Sequence, residues 1–154
     1  MIVKATMENV MHVVENMQAI ERKAIEATHW EVNNESIASG FIKYTNGLSY
    51  CALSDSGEPV VVGGLNFITP SVAQAQMFGT DKWCEVYKEV TKATRQVMDQ
   101  VLNESVKRIQ VRSLAEHHIA HKWYEKSLDM RLESKIHSYG KNGEDFVMYY
   151  RLRR

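Results

Sequence analysis

The chain has 154 residues, and its nineteen basic and nineteen acidic side chains cancel. That length fits one domain, residues 1–154, with room for a real core, and the balanced charge offers no field for nucleic acid or an anionic membrane. The two cysteines, Cys51 and Cys84, lack CxxC spacing, and no apolar run reaches the roughly eighteen residues of a membrane span, so a soluble cytoplasmic protein with reduced thiols is expected.

In chain order, Ile2 to Ala5 reads as a strand. Thr6 can cap a helix whose apolar positions Val10, Val13, Val14 and Met17 share a face, and helical spacing continues with a bend through Ile20, Ala24 and Ile25. Polar residues from Glu31 to Glu35 connect to a short helix carrying Ile37, Phe41 and Ile42, which closes at Asn46-Gly47. The period then changes: Leu48 to Leu53 and Pro59 to Phe67 are β-branched and aromatic, separated by the hairpin chemistry of Asp55-Ser56-Gly57-Glu58. Val72 to Phe78 is the next strand.

That strand breaks at Gly79-Thr80-Asp81 and becomes a long amphipathic helix, with Trp83, Val86, Tyr87, Val90, Thr94, Val97, Met98, Val101 and Leu102 on one face. Thr80 and Asp81 are good N-cap residues, and Gly79 allows a sharp turn. A strand feeding a helix N-terminus presents unpaired N–H groups and a positive dipole end, a common anion-binding geometry. Lys107 to Arg112 alternates as a strand does, Leu114 to Leu128 returns to helical spacing, and Leu132 to Tyr139 and Asp145 to Leu152 form a final hairpin. The central strand-helix-strand unit implies a right-handed parallel crossover and the hairpins imply antiparallel pairing. The expected fold is therefore α/β (α+β), with a mixed, mostly antiparallel sheet of about seven strands and helices on both faces.

This order, with two local patterns, resembles the GNAT fold of acyl-CoA-dependent N-acyltransferases along nearly the whole chain. One pattern is Asp55-Ser56-Gly57-Glu58-Pro59-Val60-Val61-Val62-Gly63-Gly64, similar to the hairpin and bulged strand before the acyl-CoA strand. The other is His118 through Met130, HIAHKWYEKSLDM, similar to the family's helix that ends in "YEKLGF". More narrowly, Gly57 to Val60, Phe78 to Asp81 and the pair Trp123-Tyr124 resemble a phage-encoded GNAT-like branch that includes the internal virion protein of short-tailed coliphages.

The resemblance implies acetyl-CoA as a dissociable donor, held at Met77, Phe78, Gly79, Thr80, Asp81 and Lys82, with no metal. It implies an amine acceptor, small molecule or protein, near Trp30 and Glu31. Tyr124 is the general acid for the thiolate, and the carbonyl is polarised by an N–H near Phe78. Glu116 or His117, at a strand end, is the candidate general base. Two departures stand out. The family's loop has two glycines where Gly79 stands alone, and Asp81 beside the helix start would take up the N–H groups and dipole at about 0.3–1 kcal/mol while Trp83 crowds the path. The last helix also has one extra residue before Asp129-Met130, so counting back from Asp129 puts Glu125 at the tyrosine position. The alternative function is an inactive GNAT-fold phage protein, virion-associated or bound to a host protein, located in the host cytoplasm or virion. In either case the chain is expected to be a monomer or homodimer. His117 and His121 lie four apart on one helical face, but no further ligand cluster accompanies them, and a solvated helix face or a substrate contact is the plainer reading.

Overall fold

The computed structural model describes residues 1–154. Its elements are β1 (Ile2–Lys4), α1 (Met7–Glu15), α2 (Ala19–Ala27), α3 (Asn34–Thr45), β2 (Ser49–Leu53), β3 (Pro59–Thr69), β4 (Val72–Gly79), α4 (Tyr87–Glu104), β5 (Arg108–Leu114), α5 (His118–Ser127), β6 (Arg131–Ile136) and β7 (Phe146–Leu152). The strands form one seven-stranded sheet in the order β1-β2-β3-β4-β5-β7-β6. Only β4 and β5 pair in parallel, joined through α4; every other pair is antiparallel. The mixed sheet with helices on both faces is as expected from the sequence.

One face is covered by α1, α2 and α3. Val10, Val13 and Val14 of α1 and Ile37 and Phe41 of α3 pack on Cys51, Val62 and Phe78, while Ala27 and the flank of α2 rest on Leu114 and Phe146. On the other face α4 and α5 cover Ile109, Val111, Val147 and Tyr149 with Met98, Leu102 and Leu128. The local rules that start α1 are visible: Thr6 accepts from the Asn9 amide at 3.3 Å, and Asn9 accepts from the Thr6 amide at 2.8 Å, a reciprocal cap. Asn46 ends α3 in the left-handed region at φ 44, which asparagine tolerates.

Two features position the cavity described below. The β4–β5 pairing covers only Val72–Arg108, Ala73–Ile109 and Gln74–Gln110, although β4 runs on to Gly79 and β5 to Leu114. Past Gln74 the two strands part, and the sheet opens. Between α1 and α2 the chain breaks at Asn16 to Gln18, where Met17 bridges Thr80 and the Gln18 N–H donates to the Gly79 carbonyl at 2.9 Å. This corner fastens the start of α2 to the end of β4.

The junction after β4 differs from the sequence expectation. Trp83–Glu85 forms a single 3-10 turn, and α4 begins only at Tyr87, with Val86 as N-cap and no side-chain cap. Neither Thr80 nor Asp81 caps the helix. Thr80 is buried and its N–H is spent on the Val60 carbonyl at 2.9 Å, while Asp81 is exposed. The spacing from Trp83 to Val90 fits both a helix and this turn, so periodicity could not separate them.

Candidate active site

A cavity of about 1730 Å³ borders the parting of β4 and β5 and is lined by residues from helices on both faces of the sheet. Along β4 the N–H of Gly79 points into the opening and donates to Oε2 of Glu21 at 2.6 Å. Strand alternation turns the N–H groups of Met77 and Ala75 the same way and that of Phe78 toward β3, where Phe78 pairs with Val62. The N–H groups near Phe78 that face the opening are thus those of its two neighbours, Met77 and Gly79. Beyond Gln74 no strand faces this edge of β4.

Glu21 was not among the residues singled out from sequence. It sits in the first turn of α2 and is only partly exposed, and burial pushes its carboxyl up from 4.5 to about 8, against the pull of the Gly79 N–H, with Asp81 adding to the rise. Its signal was present: Glu21, Ala24, Ile25 and Thr28 follow one helical face, so a carboxylate stands on an otherwise largely apolar stripe. The partner 58 residues away, which gives that carboxylate its meaning, was not visible.

Across the opening, α5 directs Tyr124 inward. Its ring lies 5.3 Å from that of Tyr149 and 6.2 Å from that of His121. Burial pushes the Tyr124 hydroxyl up to about 12; the Ser113 hydroxyl beside it pulls the other way, and the Glu21 carboxylate is near enough to add to the rise. Ser113 also meets Nε2 of the buried His121 at 3.1 Å. Glu125, the other residue at the tyrosine position by count, lies on the outside and accepts from the Tyr149 hydroxyl at 2.8 Å. The helix turns out at Asp129, with φ 54 and the Met130 N–H returning to the Tyr124 carbonyl at 3.0 Å. Asp129 therefore adopts the left-handed conformation a glycine would take there.

The other expected residues are less centrally placed. Glu116 is exposed and paired with Lys23 at 2.7 Å, which holds its carboxyl below the usual range. His117 precedes α5, half-buried, and burial lowers its imidazole, with His121 adding to the effect. Lys82 is held by Glu58 at 2.5 Å, and Glu58 also meets His12 at 3.3 Å. Phe78 packs edge-on against Phe41 in the core, at 5.4 Å between centroids. Trp30 is 97% exposed in the loop after α2, where Lys141 of the β6–β7 connection donates to its carbonyl. Glu31, also exposed, lies at the cavity rim.

On the α4 side the opening is walled by Trp83 and Trp123, 5.5 Å apart and nearly perpendicular. Trp83 lies directly over Gly79: a Cβ there would meet the indole Nε1 at 2.6 Å and the Val60 carbonyl at 3.0 Å, so glycine is required for this close approach. No helix is long and apolar enough to cross a membrane.

No protein-family model matches the chain, and no curated protein matches it by sequence. Solved structures do match it in fold. The GNAT superfamily phosphinothricin acetyltransferase of Sinorhizobium meliloti, in complex with acetyl-CoA, superposes with a TM-score of 0.73 at 14% identity, covering 99% of this chain and 88% of its own. The ribosomal-protein-S18-alanine N-acetyltransferase of Escherichia coli gives 0.71 at 12% identity, over 99% of this chain and 93% of its own. Ard1 of Thermoplasma volcanium gives 0.71 at 11% identity, over 100% and 97%. The seven-stranded sheet parted between β4 and β5 is therefore the GNAT fold.

Proposed function

We propose that this chain is an acyl-CoA-dependent N-acyltransferase that moves an acetyl group to an amine. The observation that carries the reading is the convergence, at the parting of β4 and β5, of a carboxyl raised to about 8 at Glu21 and a hydroxyl raised to about 12 at Tyr124. Two groups with such separated proton affinities suit an acid–base pair. The GNAT-fold neighbours, named as acetyltransferases, support the choice of acetyl donor.

Two features fit acetyl-CoA. The β4 edge beyond Gln74 offers main-chain groups to an extended ligand, and the first turn of α4 has no side-chain cap competing for a phosphate. The Met77 to Lys82 segment is the proposed contact region, through backbone rather than through Lys82, whose charge Glu58 neutralises. Acetyl-CoA would supply an activated thioester carbon, to which the amine nitrogen bonds as the carbon–sulfur bond breaks. Glu21 takes the amine proton. The N–H of Met77, which faces the opening, donates to the carbonyl oxygen as it gains charge, while that of Gly79 holds Glu21 in place. Tyr124, protonated at neutral pH and positioned by Ser113, gives its proton to the departing sulfur. Glu31, at the cavity rim, flanks the acceptor entrance, with the exposed Trp30 next to it in the chain. Glu21 takes the role of base that the sequence suggested for Glu116 or His117, because Glu116 is committed to Lys23.

A second reading, a phage virion-associated or host-interaction protein that keeps the fold without the chemistry, draws on Trp83 and Glu21 closing over Gly79 from two sides. Calorimetric titration of acetyl-CoA into the purified protein separates the two. Saturable binding below about 1 mM supports acyl transfer, and no heat or melting shift at that concentration sinks it.

A further inference from the structure

Three polar residues of β5, Arg108, Gln110 and Arg112, alternate on the α2 face of the sheet, each about 7 Å from the next. They meet different fates. At the closed end, Arg108 forks onto both oxygens of Glu133 at 2.7 and 2.8 Å and donates Nε to Gln110 at 2.9 Å; Gln110 in turn donates to Gln74 at 2.9 Å. At the open end, where β4 has left β5, Arg112 has no carboxylate within ion-pair range. Its guanidinium lies over the Tyr139 ring, 5.2 Å from the centroid, and one of its nitrogens donates to the Tyr139 hydroxyl. Tyr139 is itself braced edge-on against Phe146 at 5.4 Å.

The result is a cation held in place by an aromatic ring, with most of its five donors uncommitted. Arg112 lines the same cavity as Glu21 and Gln74. Glu116, the carboxylate next along the chain, is already neutralised by Lys23 and so does not serve it.

We propose that Arg112 receives a carboxylate borne by the acceptor, so that the acceptor is an amino acid or another amine carrying a carboxylate, its nitrogen toward Glu21 and its carboxylate on the Arg112 fork. This rests on the acetyl-transfer reading for the role of the amine, but the carboxylate contact is testable without turnover. Planar, bidentate pairing with a carboxylate is what a fixed guanidinium does better than any other side chain.

The test is calorimetric titration of the whole protein, with CoA present, against the common L-amino acids and the ω-amino acids β-alanine and γ-aminobutyrate, each beside its carboxamide. At least one carboxylate should bind about tenfold or more tightly than its carboxamide. Arg112→Gln should erase that preference with an unchanged melting temperature, and Arg112→Lys should keep part of it. Carboxamides that bind as tightly, a preference that survives Arg112→Gln, or no carboxylate bound at all would overturn the assignment. Acetylation of an amine without a carboxylate, at a rate indifferent to Arg112→Gln, overturns it while leaving acetyl transfer standing. Carboxylate binding lost in Arg112→Gln by a protein that does not bind acetyl-CoA keeps the assignment and removes the acetyl-transfer reading.

Discussion

The seam between β4 and β5 has two ends built from the same kinds of residue. From Val72 to Gln74 the strands pair, and the polar groups over them close on one another: Gln74 to Gln110, Gln110 to Arg108, Arg108 to Glu133. A few residues further, main-chain donors face a cavity, Arg112 has no acidic partner, and Glu21 and Tyr124 carry proton affinities far from their ordinary values. Where the chain supplies every partner, polarity serves structure. Where it does not, the same groups remain available to a ligand, at the cost of holding them partly desolvated.

The sharpest way to break this contrast is Glu21→Gln. Removing the base should lower acetyl transfer by about 10²–10⁴-fold while the amide still accepts from Gly79, and transfer by the native chain should rise with pH toward about 8 as Glu21 loses its proton. Stability moves the other way. With the folded value about 8 and the ordinary value 4.5, the folded chain holds this proton more tightly than the unfolded chain, so stability is full below 4.5 and declines as pH rises to about 8. Glu21→Gln should therefore melt several degrees above the native protein at about pH 9, with no gain at about pH 4. Equal melting at both would show that the carboxyl is not desolvated.

Tyr124→Phe is expected to cost less, about tenfold to a hundredfold in transfer, since a thiolate leaves readily even without a proton. Single-turnover rates with acetyl-CoA would measure it, and an unchanged rate would confine Tyr124 to packing. The smallest effect belongs to the closed end: Glu133→Gln should lower stability by about 1 kcal/mol or less, because Glu133 is 42% exposed, and leave transfer untouched. A loss of transfer there would mean that the two ends are not independent.

The elements were largely legible because their signals are local. Thr6 announced α1, Asn46-Gly47 closed α3, and the alternation from Lys107 to Arg112 marked β5. The start of α4 was misread because Trp83 and Val86 fit a helical face while the chain makes a 3-10 turn, with the indole over Gly79. The candidate site divides in the same way. Tyr124 could be picked out from its own helix and its likeness to a known pattern. Glu21 could not, since its importance comes from Gly79 and from the break at Met17, and contacts across the fold leave no period in the sequence.

The corner between α1 and α2 carries a consequence for how this region can vary. The Gln18 N–H bonds the Gly79 carbonyl and Met17 bridges Thr80 through the main chain, while the Gln18 side chain on the Thr80 carbonyl and the packing of Met17 against the core depend on residue type. The alignment of Glu21 with Gly79 is thus written mainly in peptide groups, which every substitution except proline retains. Gln18 can drift in sequence, and Met17 can change among apolar residues that fill the same edge of the core, while the carboxylate stays in register with the strand; the composition of the corner is loosely held, and its path is not.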